Sequence, residues 1–96
     1  MIRISDARRV SGLDLPQQAK SMFVRRYNQT YQGLQDRHER SRARIKASGG
    51  DPSEYKVPKL SDERRSKAAG ISFVKTRFKK IKSQWFQRKN GKWIKV

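Results

Sequence analysis

Residues 71–96 read ISFVKTRFKKIKSQWFQRKNGKWIKV, and two periodicities meet inside this stretch. The first half places apolar residues at Ile71, Val74, Phe78 and Ile81, spaced i, i+3, i+7, i+10. At about 100° per residue these four fall within an arc of about 80°, which predicts a helix with one buried stripe. Lys75, Lys79 and Lys82 lie along one flank of that arc, with Arg77 and Lys80 along the other. The second half centres on Asn90-Gly91 between alternating residues. This pair best tolerates two consecutive positive φ angles and is the strongest short-range hairpin signal. The reading is a helix over 61–83 followed by a β-hairpin over 84–96.

A two-residue loop at Asn90-Gly91 fixes the pairing. Lys89 faces Lys92, Arg88 faces Trp93, Gln87 faces Ile94, Phe86 faces Lys95 and Trp85 faces Val96. Alternation then puts Trp85, Ile94 and Val96 on one face, and Phe86, Arg88, Trp93 and Lys95 on the other. An isolated two-stranded hairpin is marginal in water, so one face must dock on the helices, and the Trp85 face is expected to do so. The second face interleaves aromatics with cations, a composition that stacks on bases or grips phosphates. Trp93 as a core residue is the competing reading. Lys89 opposite Lys92 is a like-charge pair that an anion would relieve.

Working outward, Ser61 suits a helix N-cap, and Asp62 and Glu63 suit the positive helix start. Gly70 weakens this helix by about 1 kcal/mol relative to Ala. Upstream, SGGDPSEYKVPKL (48–60) carries Gly49, Gly50, Pro52 and Pro58 and reads as a loop. Before it, Asp14 and Pro16 open a helical segment over 14–47, with Ala19, Phe23, Tyr27, Thr30 and Leu34 as its buried stripe, widened by Met22 and Tyr31. Its end, DRHERSRARIKAS (36–48), carries Arg37, Arg40, Arg42, Arg44 and Lys46. This is either a solvated helical extension or an arm that orders on a phosphate backbone. Residues 1–13 lack periodicity and read as a flexible basic arm with Arg3, Arg8 and Arg9. The fold class is mainly α with a small β element (α+β): two principal helices plus a C-terminal hairpin in one domain over 14–96.

Charge narrows the function. Twenty-five Lys and Arg oppose eight Asp and Glu, a net +17 over 96 residues. Glu63 is the last acidic residue, and twelve basic residues follow it. Such a chain repels itself when compact, and a polyanion relieves that cost. Nucleic acid is the commonest such partner; an anionic membrane surface or an acidic protein also qualifies.

Other classes are poorly served. Without cysteine there is no disulfide or thiolate metal site. His38 is the only histidine and sits in a charged run, where a surface bystander is expected. No phosphate-binding glycine loop followed by Lys-Ser or Lys-Thr occurs. No enzyme activity, cofactor or metal is expected. The start MIRISDARRV lacks the apolar region of a signal peptide, and no apolar run approaches the roughly 18 residues of a membrane span. The chain therefore reads as cytoplasmic, in a bacterial cytosol or nucleoid, or in a host cell if phage-encoded.

LPQQAKSMFVRRYNQTYQ (15–32) resembles the opening motif of ChaB-like proteins, through Leu15, Pro16, Ala19, Met22, Phe23, Tyr27, Asn28 and Tyr31. Val74, Lys75 and Phe78 are similar to a second helical motif of that family, and Lys92 and Trp93 to its Gly-Lys-Trp ending. The resemblance spans about residues 13–96. It implies a small, mainly helical fold with a minor β element. Bacterial members of the family carry the label of putative regulator of a cation–proton antiporter, and related proteins occur in phages and large DNA viruses. This chain departs from the family in its higher positive charge and its Arg-rich stretch after Tyr31, which favours a polyanion over an antiporter. Asn28, polar within a helix, reads either as a hydrogen-bond anchor for a neighbouring segment or as a base contact.

The expected function is a small non-enzymatic DNA-binding protein, largely indifferent to sequence, with double-stranded DNA as partner. The expected contacts are Arg42, Arg44, Lys75, Lys79, Lys80, Lys82, Arg88, Lys89, Lys92, Trp93 and Lys95. The alternatives are an RNA- or ribosome-associated protein and a regulator of an antiporter or another host protein.

Overall fold

The computed structural model describes residues 1–96, apart from the side chain of Lys59. A 3-10 turn (Ile4–Asp6) leads into a short helix α1 (Ala7–Ser11). The long helix α2 (Gln17–Ala47) follows, then a 3-10 turn (Pro52–Glu54) and helix α3 (Lys59–Arg77). Three strands close the chain: β1 (Phe78–Ile81), β2 (Gln84–Lys89) and β3 (Lys92–Lys95). They form one antiparallel sheet in the order β1-β2-β3. The α+β architecture expected from periodicity is thus present, with one strand more than expected. No helix among the described residues is long and apolar enough to cross a membrane.

Local chemistry sets the ends of α2. Pro16 precedes it in an extended conformation (φ −65°, ψ 162°), which a proline adopts without cost. At the other end, Gly50 N–H donates to Ile45 O and Gly49 N–H to Lys46 O. Gly49 has φ +88°, so the pair closes the helix with the Schellman arrangement that glycine favours. At 31 residues α2 is about 46 Å long, and it makes the molecule elongated. The radius of gyration is 17.3 Å, against about 13 Å for a compact chain of about 100 residues.

α3 runs antiparallel to α2. Gly70 meets Phe23 near one end of the pair, and Asp62 meets Gln35 and His38 towards the other. The core is the buried set Ala7, Leu15, Ala19, Phe23, Val24, Tyr27, Val74 and Phe78. Ile2, Val10, Leu13, Met22, Tyr31, Ile71 and Trp85 pack around it. Trp85 therefore docks as its face of the hairpin requires, whereas Ile94 on the same face remains 48% exposed.

Two expectations change. The helix expected to reach residue 83 stops at Arg77, and Phe78 turns extended (φ −134°, ψ 147°). Residues 78–81 instead pair with β2, since a third strand supplies the ladder that a lone hairpin lacks. Phe78 stays buried at 2%, but Ile81 falls on the opposite sheet face and is 46% exposed. Lys79, Lys80 and Lys82 are consequently not on a helix shoulder.

The second change is at the N-terminus. Residues 1–13 are not a loose arm: Ala7 and Ser11 are buried, and Ile2, Val10 and Leu13 pack against the core. Asn28 fixes the segment. Its Oδ1 accepts from Ile2 N–H at 2.9 Å, and its Nδ2 donates to Ile2 O at 3.2 Å. The side-chain amide copies one rung of a β-ladder, which bears out its reading as a structural anchor. The Arg-rich stretch is helical to Ala47, as the helical-extension reading expects.

Candidate nucleic-acid interface

Register decides what the sheet displays. Residues directly opposite one another share a face. Phe78 pairs with Gln87, and Lys80 with Trp85, on the side turned to the helices. The outer side carries Lys79, Phe86 and Lys95 in one row across all three strands, and Arg88 and Trp93 in the next. The hairpin register is the one expected from Asn90-Gly91, which take φ +50° and +77°.

The outer face is a lattice of cations and aromatic rings. Lys79 Nζ lies 4.3 Å from the centre of the Trp93 ring, and Arg88 Cζ lies 6.0 Å from it. Trp93 is 36% exposed, so the core reading of this residue gives way to a surface one. Each such contact contributes about 0.5–1 kcal/mol at an exposed site and, more usefully here, holds a flexible cation in place. Lys89 and Lys92 pair at the hairpin tip, as expected.

The face continues onto the helices. Arg77, the last residue of α3, lies just before β1. Its Cζ lies 3.7 Å from the centre of the Phe73 ring, and Arg26 Cζ of α2 lies 5.4 Å from the same centre. A cleft of about 340 Å³ between Thr76, Arg77 and Arg88 joins this cluster to the sheet. A second, of about 280 Å³, runs from Thr76 and Arg77 past Phe73 to Arg26.

These cations have no carboxylate partner in close contact among the described residues. Among the described residues no Lys or Arg lies within 4.0 Å of a carboxylate; the carboxylate contact of that length is between Asp62 and His38. Repulsion among the cations is thus left to water and small ions, and a polyanion has no internal competitor to displace.

The expected residues fall into groups. Lys79, Arg88, Trp93 and Lys95 come together on the outer face, and Lys89 and Lys92 at the tip. Lys82 sits in the β1–β2 turn and Lys80 on the inward side, exposed beyond the core. Lys75 is exposed on α3. Arg42 and Arg44 are near the far end of α2, roughly 30 Å along its axis from the sheet end, and do not join the cluster. Arg42 instead caps the Tyr55 ring at 5.6 Å.

Periodicity missed two arrangements. Arg26, Phe73 and Arg77 meet only because α2 and α3 pack antiparallel. His38 is not a surface bystander: it is buried at 7%. Its Nε2 lies 2.9 Å from Asp62 Oδ2, and its Nδ1 lies 3.1 Å from Tyr55 Oη. A carboxylate only accepts, so Nε2–H donates to Asp62, and Nδ1 shares a hydrogen bond with the Tyr55 hydroxyl. Gln35 Nε2 also donates to Asp62 at 2.9 Å. One signal was available: positions 23, 27, 34 and 38 share a helical face, so His38 extends the buried stripe.

Comparison with known proteins adds no relative: no family model, no curated protein and no solved structure matches the chain.

Proposed function

We propose that the protein is a non-enzymatic binder of double-stranded DNA that holds the phosphate backbone largely without regard to sequence. One observation carries this reading. The last third of the chain has twelve cations and no acidic residue, and its outer sheet face sets Lys79 and Arg88 around the Trp93 ring with no carboxylate within 4.0 Å among the described residues. Phosphate contacts position a protein on DNA without specifying bases, which suits lysines at a hairpin tip. The cytosol or nucleoid is where such a partner is met.

The ChaB-like resemblance belongs to the same proposal and speaks to fold. Its matching residues Leu15, Ala19, Phe23 and Tyr27 are core, and Asn28 anchors the N-terminal segment. None of these five lies on the cationic face, whereas the matched Trp93 lies on it and the matched Lys92 at the hairpin tip.

Titration of a short mixed-sequence duplex across a salt series tests the reading. If about six phosphates are neutralised, log K should fall against log salt with a slope of roughly −5. A slope near zero sinks the proposal. Replacing Lys89 and Lys92 together with Ala should weaken binding by a similar factor on unrelated duplexes. A loss confined to one sequence, or displacement of the duplex by a smaller amount of structured RNA, counts against it.

A further inference from the structure

Arg77 is held in an unusual way for a surface cation. Its guanidinium stacks on Phe73 at 3.7 Å. Its Nη1 donates to Thr76 Oγ1 at 2.8 Å and to Phe73 O at 3.3 Å. Thr76 is itself fixed, because its hydroxyl donates to Phe73 O at 2.8 Å. Nη1 has only two hydrogens, and both are used. What remains is the edge formed by Nε–H and Nη2–H, two parallel donors that match two oxygens of one phosphate. Among the described residues no acceptor takes them.

We propose that Arg77 and Arg88 form a seat for one phosphodiester group of the bound nucleic acid. The two line the same cleft with Thr76. Arg26 Cζ lies 5.4 Å from the centre of the same Phe73 ring and reinforces the positive potential there. A long side chain ordinarily loses rotamer freedom when it captures a ligand, and Arg77 has lost much of that freedom already. Two guanidinium groups facing one cleft without a carboxylate repel one another, and an anion between them reverses the sign of that interaction. Lysine cannot replace Arg77, since an ammonium neither stacks flat on a ring nor offers a paired edge. The inference rests on the nucleic-acid reading for the identity of its ligand, though the seat has its own test.

Trp85→Phe leaves Trp93 as the single tryptophan, with Arg88 beside its ring. In that background inorganic phosphate, and separately a short duplex, are titrated while Trp93 emission is followed. Both should change the emission saturably. Arg77→Lys should weaken duplex binding about tenfold with an unaltered salt slope, because charge is kept and geometry is lost. Arg9→Lys, an exposed control on α1, should leave it unchanged. Arg88→Lys, on an exposed strand position, gives a second reading that does not depend on the fold tolerating a change at Arg77. It should weaken both ligands as well. Arg77→Lys and Arg88→Lys proteins that match the parent with both ligands overturn the seat. A parent that ignores duplex but still responds to phosphate through Arg77 overturns the DNA reading and leaves the seat standing.

Discussion

His38 Nε2 lies 2.9 Å from Asp62 Oδ2, and this buried contact sets where α3 begins along α2. The same carboxylate takes Gln35, and the other nitrogen of the ring takes Tyr55 from the 48–58 loop. Four side chains from three segments therefore converge at one end of the α2–α3 interface. Asp62→Ala leaves the His38 and Gln35 donors without an acceptor. The loss should be about 2–3 kcal/mol, read as a lower urea midpoint. Tyr55→Phe removes one hydrogen bond at the margin and should cost about 1 kcal/mol. Equal midpoints for Asp62→Ala and the parent would falsify the role given to this cluster.

Gly70 faces Phe23 so closely that an added Cβ would stand 2.7 Å from Cε2 and 2.8 Å from Cδ2 of the ring. Two effects oppose one another in Gly70→Ala. Helix propensity favours alanine by about 1 kcal/mol. Overpacking a filled core costs about 1–3 kcal/mol, and here the ring is itself fully buried and cannot swing away. The clash should win, with a net loss of about 1 kcal/mol in denaturant unfolding. A stabilised variant would show that α2 and α3 sit further apart than described.

The elements that were legible from sequence are those whose signal is local. Asn90-Gly91 gave the β2–β3 register residue by residue, and the stripe through Phe23 and Tyr27 gave the face of α2 that enters the core. β1 was hidden because Phe78 satisfies two patterns at once. It continues the helical stripe of Ile71 and Val74, and it is also the inward residue of a strand. The turn after it, Lys82-Ser83, carries none of the residues that mark a hairpin. The β2–β3 part of the outer sheet face was legible, as Phe86, Arg88, Trp93 and Lys95, whereas Lys79 joined it only once β1 became a strand. Arg77 over Phe73 depends on side-chain packing at a helix end, which no spacing rule encodes.

Lys82 and Ser83 take φ +49° and +66°, so two side-chain-bearing residues occupy left-handed backbone in the β1–β2 turn. Such a conformation costs roughly 1–2 kcal/mol for a residue with a Cβ. Glycine removes that cost but adds about 0.5–1 kcal/mol of unfolded-state entropy. Ser83→Gly should therefore raise stability by about 0.5–1 kcal/mol, seen as a higher thermal midpoint, with duplex binding unaffected. A lower midpoint would mean that the turn is not strained at this position.

Burial pushes the Tyr27 phenol above its ordinary value of 10.0, and the nearby Glu63 and Tyr31 push in the same direction. The folded chain thus holds the neutral phenol more strongly than the unfolded chain does. Below pH 10 both states are protonated and the contribution is complete. As pH rises past 10 the unfolded state loses its proton first, so stability falls until the folded-state phenol also ionises. Comparison with Tyr27→Phe isolates the phenol, because every other ionisable group is common to both proteins. The stability difference between parent and variant should be constant from pH 7 to about 9.5 and then move against the parent above about 10. Urea midpoints at intervals through that range measure it. Parallel curves throughout would mean that the phenol is as free to ionise in the folded protein as in the unfolded chain.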